Sequence, residues 1–416
     1  MLPNYSNESE KDRKPALEAE GRLLKIGAYT YALPDERIAL HPLENRDDSK
    51  LLVLENDQIA DRNFKDLPEL LSKGDLLVFN RSRVILARLF FQTAAGSNIE
   101  IFCISEAEKA DHQITGKSSA EWFCMVGRAA KWKEGEILRL SNSDGLELTA
   151  SNTGRKDDLF RIRFEWNAPE IDFIQLLDAF GNLPLPPYLH REPDASDLRR
   201  YQTVYASEAG SVAAPTAGLH FTDDLLNRLS QKGVDFAYIT LHVGSGTFRP
   251  VKSDTLAGHD MHREEYFIPI ETLEQLAACK GKIIAVGTTT LRTLESVFIG
   301  THLHPDTVPQ EVGQWEGIDY HSDFSKPART LFKEAAESLH HNNQAVLHGF
   351  TSLLVCPPYS IKTIEGLITN FHQPESTLLV LIAAAIGEKW KAIYAHALKN
   401  GYRFLSYGDA SLLMLG

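Results

Sequence analysis

Six short stretches of this 416-residue chain combine histidines, hydroxyls, glycines and charged groups at spacings that could do chemistry. The first, SVAAPTAGLHFT from Ser211 to Thr222, sets small residues around Pro215, Thr216 and Gly218 and ends on His220, just before a helix start. Thr222 is a helix N-cap by type, Asp223 and Asp224 suit the first turn, and Phe221 with Leu226 can form a hydrophobic staple. Helix initiation therefore explains Phe221 onward, but not Ala213 to His220. Those small side chains create space, as a pocket wall does, although tight packing of the loop on a neighbouring strand would use the same residues. The second stretch, TLHVGSGTFRPV from Thr240 to Val251, puts His242 near a strand end and Gly244, Gly246 and Thr247 in the loop after it. Its glycines let a ligand approach the backbone, yet a plain strand-to-loop turn would read alike.

The third stretch, GHDMHREEY, offers His259, His262 and Glu264. Its His-x-x-His spacing is that of some metal sites, but the helical His-Glu-x-x-His pattern and a cysteine partner are missing, so an acid/base or hydrogen-bonding set on a mobile loop is the expectation. The fourth, AVGTTTLRTLES, has the strand-Gly-Thr-helix form that holds carboxylates, ribose or phosphates through backbone N–H groups and hydroxyls, here Thr288, Thr289 and Thr290. It lacks the lysine of a P-loop, which argues against an NTPase. Arg292 on that helix is either a carboxylate clamp or a surface arginine. NFHQPEST, with Phe371 and His372, and FLSYGDAS, with Tyr407 and Asp409, place aromatic and polar residues in short loops where a flat or cationic ligand could stack. Together these loops follow strands or begin helices, a convergence that favours a small-molecule site over a scaffold.

Elements of ordinary soluble composition must position these groups. Hydrophobic residues make up 43% of the chain and charged residues 24%, as in globular proteins generally, and the length allows two or three domains with a well-buried core. The longest apolar run, Leu378 to Gly387, is too short to span a bilayer. The first residues have no apolar stretch after a basic start, so residues 1–24 read as a mixed-charge mobile tail rather than a secretory signal, with the cytoplasm as the expected location. Cys103, Cys124, Cys279 and Cys356 lie far apart and form no Cys-x-x-Cys pair, which reads as reduced core thiols rather than a zinc site or disulfide framework. A formal net charge of −13 argues against nonspecific nucleic-acid binding through a global field, while leaving room for a local basic face.

From about Leu23 to Arg83 the chain alternates short helical stubs with strands such as LLVLEN and DLLVF, the pattern of an α/β layer. From Val84 to Trp166 the period changes to two. RLFFQTA, NIEIFCIS, EWFCMVGRA, EILRLS, LELTAS and LFRIRFEW are strand-like runs between turn residues and predict a small inserted β-barrel or sandwich. The insert has eleven Lys and Arg against twelve Asp and Glu, so the remainder carries −12. After it, TDDLLNRLSQKG, ETLEQLAACKG and TTTLRTLESVFI read as helices alternating with the strands VDFAYITLHV and KIIAVG. Mostly parallel pairing follows, with ligands expected beyond the carboxyl ends of the strands. Residues 301–348 read as an insertion containing one helix. The fold class is thus α/β: residues 25–83 and 167–416 form the main domain, and 84–166 the barrel.

LPLPPYLHR, RYQTVYA, GSVAAPTAGLHFTDDLL, TLHVGSGTFRPV, HDMHREEY, VGTTTLRTLES, TNFHQPESTLL and YRFLSYGDA, in this order, closely resemble the queuosine-biosynthesis family of S-adenosylmethionine:tRNA ribosyltransferase-isomerases, over about Tyr29 to Met414. The resemblance implies an α/β domain with an inserted barrel. It also implies transfer and isomerisation of the ribosyl group of S-adenosylmethionine onto 7-aminomethyl-7-deazaguanine at the tRNA wobble position, giving epoxyqueuosine-tRNA with release of adenine and methionine. S-adenosylmethionine is then a co-substrate, with no bound cofactor, no metal and no membrane partner expected. Such a reaction needs at least two acid/base groups, for which His220 and His262 are the candidates, with Glu264 or Asp409 orienting or relaying. In this scheme Gly244, Gly246, Thr247, Thr288 and Thr289 hold ribose and the methionine end, Arg292 takes the carboxylate, and Phe371 and Tyr407 flank the adenine or sulfonium. Pro215, Thr216, Gly218, His242 and His372 complete the expected substrate site, and Arg81, Arg83 and Arg88 form a basic group for tRNA at the domain junction.

The chain departs from the family pattern in places. Asn80, Arg81, Ser82 and Arg83 stand where the family commonly has an Asn-Asp-Thr-Arg-like run, Glu375 where a cation is common, Pro358 where glycine is frequent, and residues 301–348 are longer than expected. A paralogue of the same fold with another nucleoside or RNA acceptor is one alternative, and a noncatalytic RNA-binding protein is another. A metal-dependent hydrolase on His259, His262 and Glu264 is a third.

Overall fold

The computed structural model describes residues 21–108, 118–244, 246, 251, 253–305, 310–320 and 323–415. Thr247, most of the N-terminal tail and parts of the 301–348 stretch lie outside the described residues. A ten-stranded sheet dominates, in the spatial order Gln310–Val312, Val346–Thr351, Glu264–Pro269, Asp235–Leu241, Leu76–Asn80, Ile283–Val286, Gly366–Asn370, Ala410–Met414, Lys50–Glu55 and Gln58–Asn63. The sheet is mixed. Asp235–Leu241, Leu76–Asn80, Ile283–Val286 and Gly366–Asn370 run parallel side by side, while antiparallel strands flank this group on both sides.

The parallel centre follows from sequence. Leu76–Asn80, Ile283–Val286 and Gly366–Asn370 are buried at every position, as strands covered on both faces must be, and they are correspondingly rich in Leu, Ile and Val. Asn80 ties two strand ends together: its Oδ1 accepts from Leu241 N and Ser82 N, and its Nδ2 donates to Leu241 O. The helix Thr288–Leu303 leaves the sheet through Gly287, whose φ of 94° is open to glycine and costly for other residues. Almost its whole length is buried, which accounts for a sequence with no clear polar face. Thr222 caps the helix Asp223–Lys232, its Oγ1 accepting from Leu225 N at 3.2 Å, and Gly233 ends that helix in the left-handed region. Phe221 and Leu226 share one apolar cluster.

The six alternating runs close into an antiparallel barrel in the order Leu159–Trp166, Ser118–Gly127, Asn98–Glu108, Arg88–Gln92, Leu138–Ser141 and Glu147–Lys156. Ile99, Ile101, Cys103, Cys124, Ile162 and Phe164 fill its interior, the inward half of each period-two pattern. All four cysteines are free thiols.

Residues 301–348 contain more than one helix. Besides Ala328–His341 they supply the edge strand Gln310–Val312 and the one-turn helix Glu316–Asp319. Elements of three and four residues are too short to show a period, so they are invisible to pattern reading. Among the described residues no helix is long and apolar enough to cross a membrane.

Candidate active site

The carboxyl ends of the central strands open into one cleft, enclosing about 1450 Å³ of empty space, open solvent included. Val243 follows Asp235–Leu241, Gly287 to Thr289 follow Ile283–Val286, and Asn370 to Gln373 close Gly366–Asn370. All of them line the cleft. This is where an open parallel sheet binds ligands, because the crossovers leave a crevice there. Ala213 to Ala217, including Pro215 and Thr216, form a facing wall. Thr288 and Thr289 put the start of a sixteen-residue helix at the cleft, and Thr289 Oγ1 is buried without a hydrogen-bond partner among the described residues. A helix N-terminus with a spare hydroxyl is a ready anion site.

A hydrogen-bonded trio of His262, Glu264 and Arg292 stands at the same cleft. His262 Nε2 lies 2.7 Å from Glu264 Oε1, Gly244 N donates to that oxygen at 2.9 Å, and Arg292 Nη1 donates to Glu264 Oε2 at 2.6 Å. Glu264 is not on a loop: it opens the strand Glu264–Pro269, with its side chain 1% exposed. Burial raises its pKa, but His262 and Arg292 outweigh it and hold the carboxyl at about 2. Burial alone works against the charge on Arg292, which Glu264 supports. At 2.6 Å, and with an arginine so far above neutrality to begin with, both partners are charged at neutral pH. Arg292 also donates Nη2 to the carbonyls of His262 and Thr351, while its Nε is buried and unpartnered.

A carboxylate can only accept, so His262 donates from Nε2, and among the described residues its Nδ1 has no hydrogen-bond partner. Nδ1 faces Gly246, where an added Cβ would come within 2.0 Å of it. The geometry is that of a general base oriented from behind by a carboxylate. His259 lines the cleft beside it, its pKa lowered first by burial and then by His262.

Phe371 and His372 line the cleft, but Phe371 is only 1% exposed and packs with Tyr394, Tyr402 and Phe404. Burial lowers the pKa of His372 to about 4. Glu375 also lines the cleft.

Other sequence candidates lie elsewhere. His220 is buried behind the wall, its Nδ1 2.9 Å from Ser49 Oγ and its Nε2 3.3 Å from Asn370 Oδ1. Because Asn370 Nδ2 donates to Leu405 O and Ser406 O, its Oδ1 must receive the His220 N–H. Burial lowers the His220 pKa to about 4, so this ring is neutral and fully engaged. Asp409 accepts from Lys50 N, Arg403 N and Arg403 Nη2. Tyr407 donates to Asp197 at 2.7 Å. Gly218 makes room for Tyr205, whose OH would lie 2.0 Å from an added Cβ, and Gly210 likewise makes room for His242. The three arginines near the domain junction each face an acid: Arg81 Glu208 at 3.7 Å, Arg83 Asp178 at 3.8 Å, and Arg88 Glu100 at 2.7 Å.

Tyr188, Tyr201, Asn370 and Ser406 line the cleft without having been singled out in sequence. Asn370 is the first residue of the NFHQPEST motif and was within reach of motif reading. Tyr188 lies in LPLPPYLHR and Tyr201, just after the one-turn helix Asp197–Arg200, in RYQTVYA, so the family motifs contain both although no spacing singles them out.

A parallel-sheet crevice with an oriented histidine, a helix N-terminus and a wall of small residues defines a small-molecule enzyme of the open α/β class with a barrel module beside it. The sequence model of the family described as Queuosine biosynthesis protein matches residues 26–413, and the chain belongs to that family. It is 41% identical over 394 residues to the S-adenosylmethionine:tRNA ribosyltransferase-isomerase of Aromatoleum aromaticum, covering 94% of this chain and 97% of the relative. The enzyme of the same name from Dechloromonas aromatica is 39% identical over 394 residues, with the same coverage of 94% and 97%. A crystal structure of S-adenosylmethionine tRNA ribosyltransferase from Thermotoga maritima aligns with a TM-score of 0.46 and 32% identity, covering 93% of this chain and 99% of that one.

Proposed function

We propose that this protein transfers and isomerises the ribosyl group of S-adenosylmethionine onto 7-aminomethyl-7-deazaguanine in the wobble position of tRNA, giving epoxyqueuosine-tRNA and releasing adenine and methionine. The observation that carries the chemistry is the oriented His262 and the helix N-terminus at Thr288 and Thr289 in one cleft. The sulfonium acidifies the adjacent ribose methylene. His262 Nδ1 takes that proton, while Glu264 holds the ring by its Nε2–H and stabilises the imidazolium that results. Thr289 Oγ1 and the helix N-terminus receive the methionine carboxylate, and Arg292, committed to Glu264, positions that carboxylate rather than binding the substrate's. The wall from Ala213 to Ala217 leaves room for a sulfonium nucleoside beside an everted base.

His220 and Asp409 lie outside this chemistry as polar supports of the wall. Residues 25–83 and 167–416 act as the catalytic unit, with the barrel, 84–166, flanking the RNA. The test is incubation with labelled S-adenosylmethionine and tRNA bearing the aminomethyl base. Adenine release and a changed nucleoside are expected from the native protein and His220→Asn, with release abolished in His262→Ala. No release from the native protein would sink the proposal.

A further inference from the structure

Behind the cleft lies a second, smaller pocket of about 280 Å³ of empty space, open solvent included, lined by Arg46, Arg200, Arg403, His220 and Ser406 among others. Ser406 also lines the cleft, and His220 touches Asn370, another cleft residue, at 3.3 Å. The partition between the two cavities is therefore one side chain thick.

Acids balance its charge only in part. Arg46 donates to the carbonyls of Gln202 at 2.6 Å and Arg199 at 2.8 Å, and Arg200 donates to the carbonyls of Glu44 and Leu43. Main-chain carbonyls fix guanidinium planes without neutralising them. Arg200 Nε is buried with no partner among the described residues. Arg403 gives Nη2 to Asp409 at 3.2 Å, and that carboxylate is shared with the backbone N–H groups of Lys50 and Arg403. Asp223 supports the charge on Arg46 from a distance, whereas burial and then Arg200 oppose it. Three cations thus face one small cavity with one adjacent carboxylate, an arrangement that an oxyanion would relieve.

We propose that this pocket holds one backbone phosphate of the RNA acceptor, on the 5′ or 3′ side of the nucleotide whose base enters the cleft. The inference rests on the function proposed above. Planar, pre-oriented guanidinium groups match phosphate oxygens bidentately, and phosphate contacts of this kind set the register of a nucleic acid without reading its sequence. A phosphate fixed one side chain away from the cleft positions the everted nucleotide along its own backbone. The methionine carboxylate is already provided for at Thr289, inside the cleft.

The test compares the full-length protein with Arg200→Gln, Arg403→Gln and Arg200→Lys in binding an anticodon stem-loop RNA from 50 to 300 mM salt, with circular dichroism confirming each fold. Each Gln variant is expected to bind about tenfold more weakly, and its slope of log affinity against log salt to be shallower by about 0.7, the value for one single-strand phosphate contact. Arg200→Lys, which keeps the charge, is expected to restore most of the slope. Native slopes in both Gln variants overturn the proposal. A parallel arm follows the ³¹P linewidth of inorganic phosphate: broadening that vanishes in the Gln variants while their RNA slopes stay native makes this a free-phosphate site and also overturns it. Adenine release by the native protein separates the two ideas, since release with unchanged slopes refutes the phosphate pocket alone.

Discussion

Replacing Glu264 by Gln removes one charge from a buried trio, and its effect on stability can be worked out with a sign. The carboxyl sits at about 2 in the folded protein against an ordinary 4.5, a gap worth about 3 kcal/mol at 1.36 kcal/mol per pH unit. Because the folded value is the lower one, this stability is fully present above pH 4.5 and is lost as pH falls from 4.5 towards 2. The side chain is 1% exposed, so solvent screens little of it, but the cost of burying Arg292 makes the figure a ceiling. Urea unfolding of the native protein and Glu264→Gln at pH 6 and pH 3 checks it. The stability gap between the two is expected to shrink by up to about 2 kcal/mol at pH 3, since about 1.5 of the 2.5 units are crossed by then. Other carboxylates titrate alike in both proteins and cancel. At neutral pH the same variant should release adenine about 10²- to 10⁴-fold more slowly, the usual worth of an oriented acid/base group. A gap that stays constant with pH would refute the ionised, doubly paired Glu264, and an undiminished rate would refute its role behind His262.

Gly246→Ala puts a Cβ 2.0 Å from His262 Nδ1 and is expected to cut kcat at least about tenfold by displacing the ring, with little change in melting temperature, since Gly246 is only partly buried. Gly218→Ala meets the Tyr205 hydroxyl at 2.0 Å and is expected to cost about 1–3 kcal/mol in urea unfolding, the usual range for overpacking. His220 is held neutral, its pKa lowered to about 4, so the unfolded chain takes up a proton first as pH falls. Stability is lost between pH 6.5 and 4, by about 3 kcal/mol at most, and His220→Asn should flatten that part of the profile.

The barrel was legible because each of its six runs alternates inward and outward residues, and the burial of Ile99, Ile101, Ile162 and Phe164 is that alternation made physical. The buried strands Ile283–Val286 and Leu76–Asn80 were legible for the opposite reason, as short unbroken apolar runs between turn residues. The edge strand Gln310–Val312 was not, because three residues carry no period and its pairing with Val346–Thr351 is made across more than thirty residues of chain. The mixed direction of the outer strands was hidden likewise: strand direction is set by connections through space, which a run of side chains does not record.

The site divides along the same line between local and distant information. Thr222 as a cap, Gly287 as a hinge and Thr288 as a helix start are local chemistry, and the structure places each as its neighbours in sequence require. The functions of the histidines depend on distant partners. His220 and His262 are both candidate acid/base groups by type, each near a change of element. Ser49, 171 positions away, and Asn370, 150 positions away, occupy both nitrogens of His220. Glu264, two positions away, occupies only one nitrogen of His262 and is itself fixed by Arg292, 28 positions on. A buried ring with both nitrogens engaged by Ser49 and Asn370 has no nitrogen left for a ligand. A ring held from one side at the rim of a cleft has one nitrogen left for chemistry, and it is this difference in free valence that separates the structural histidine from the reactive one.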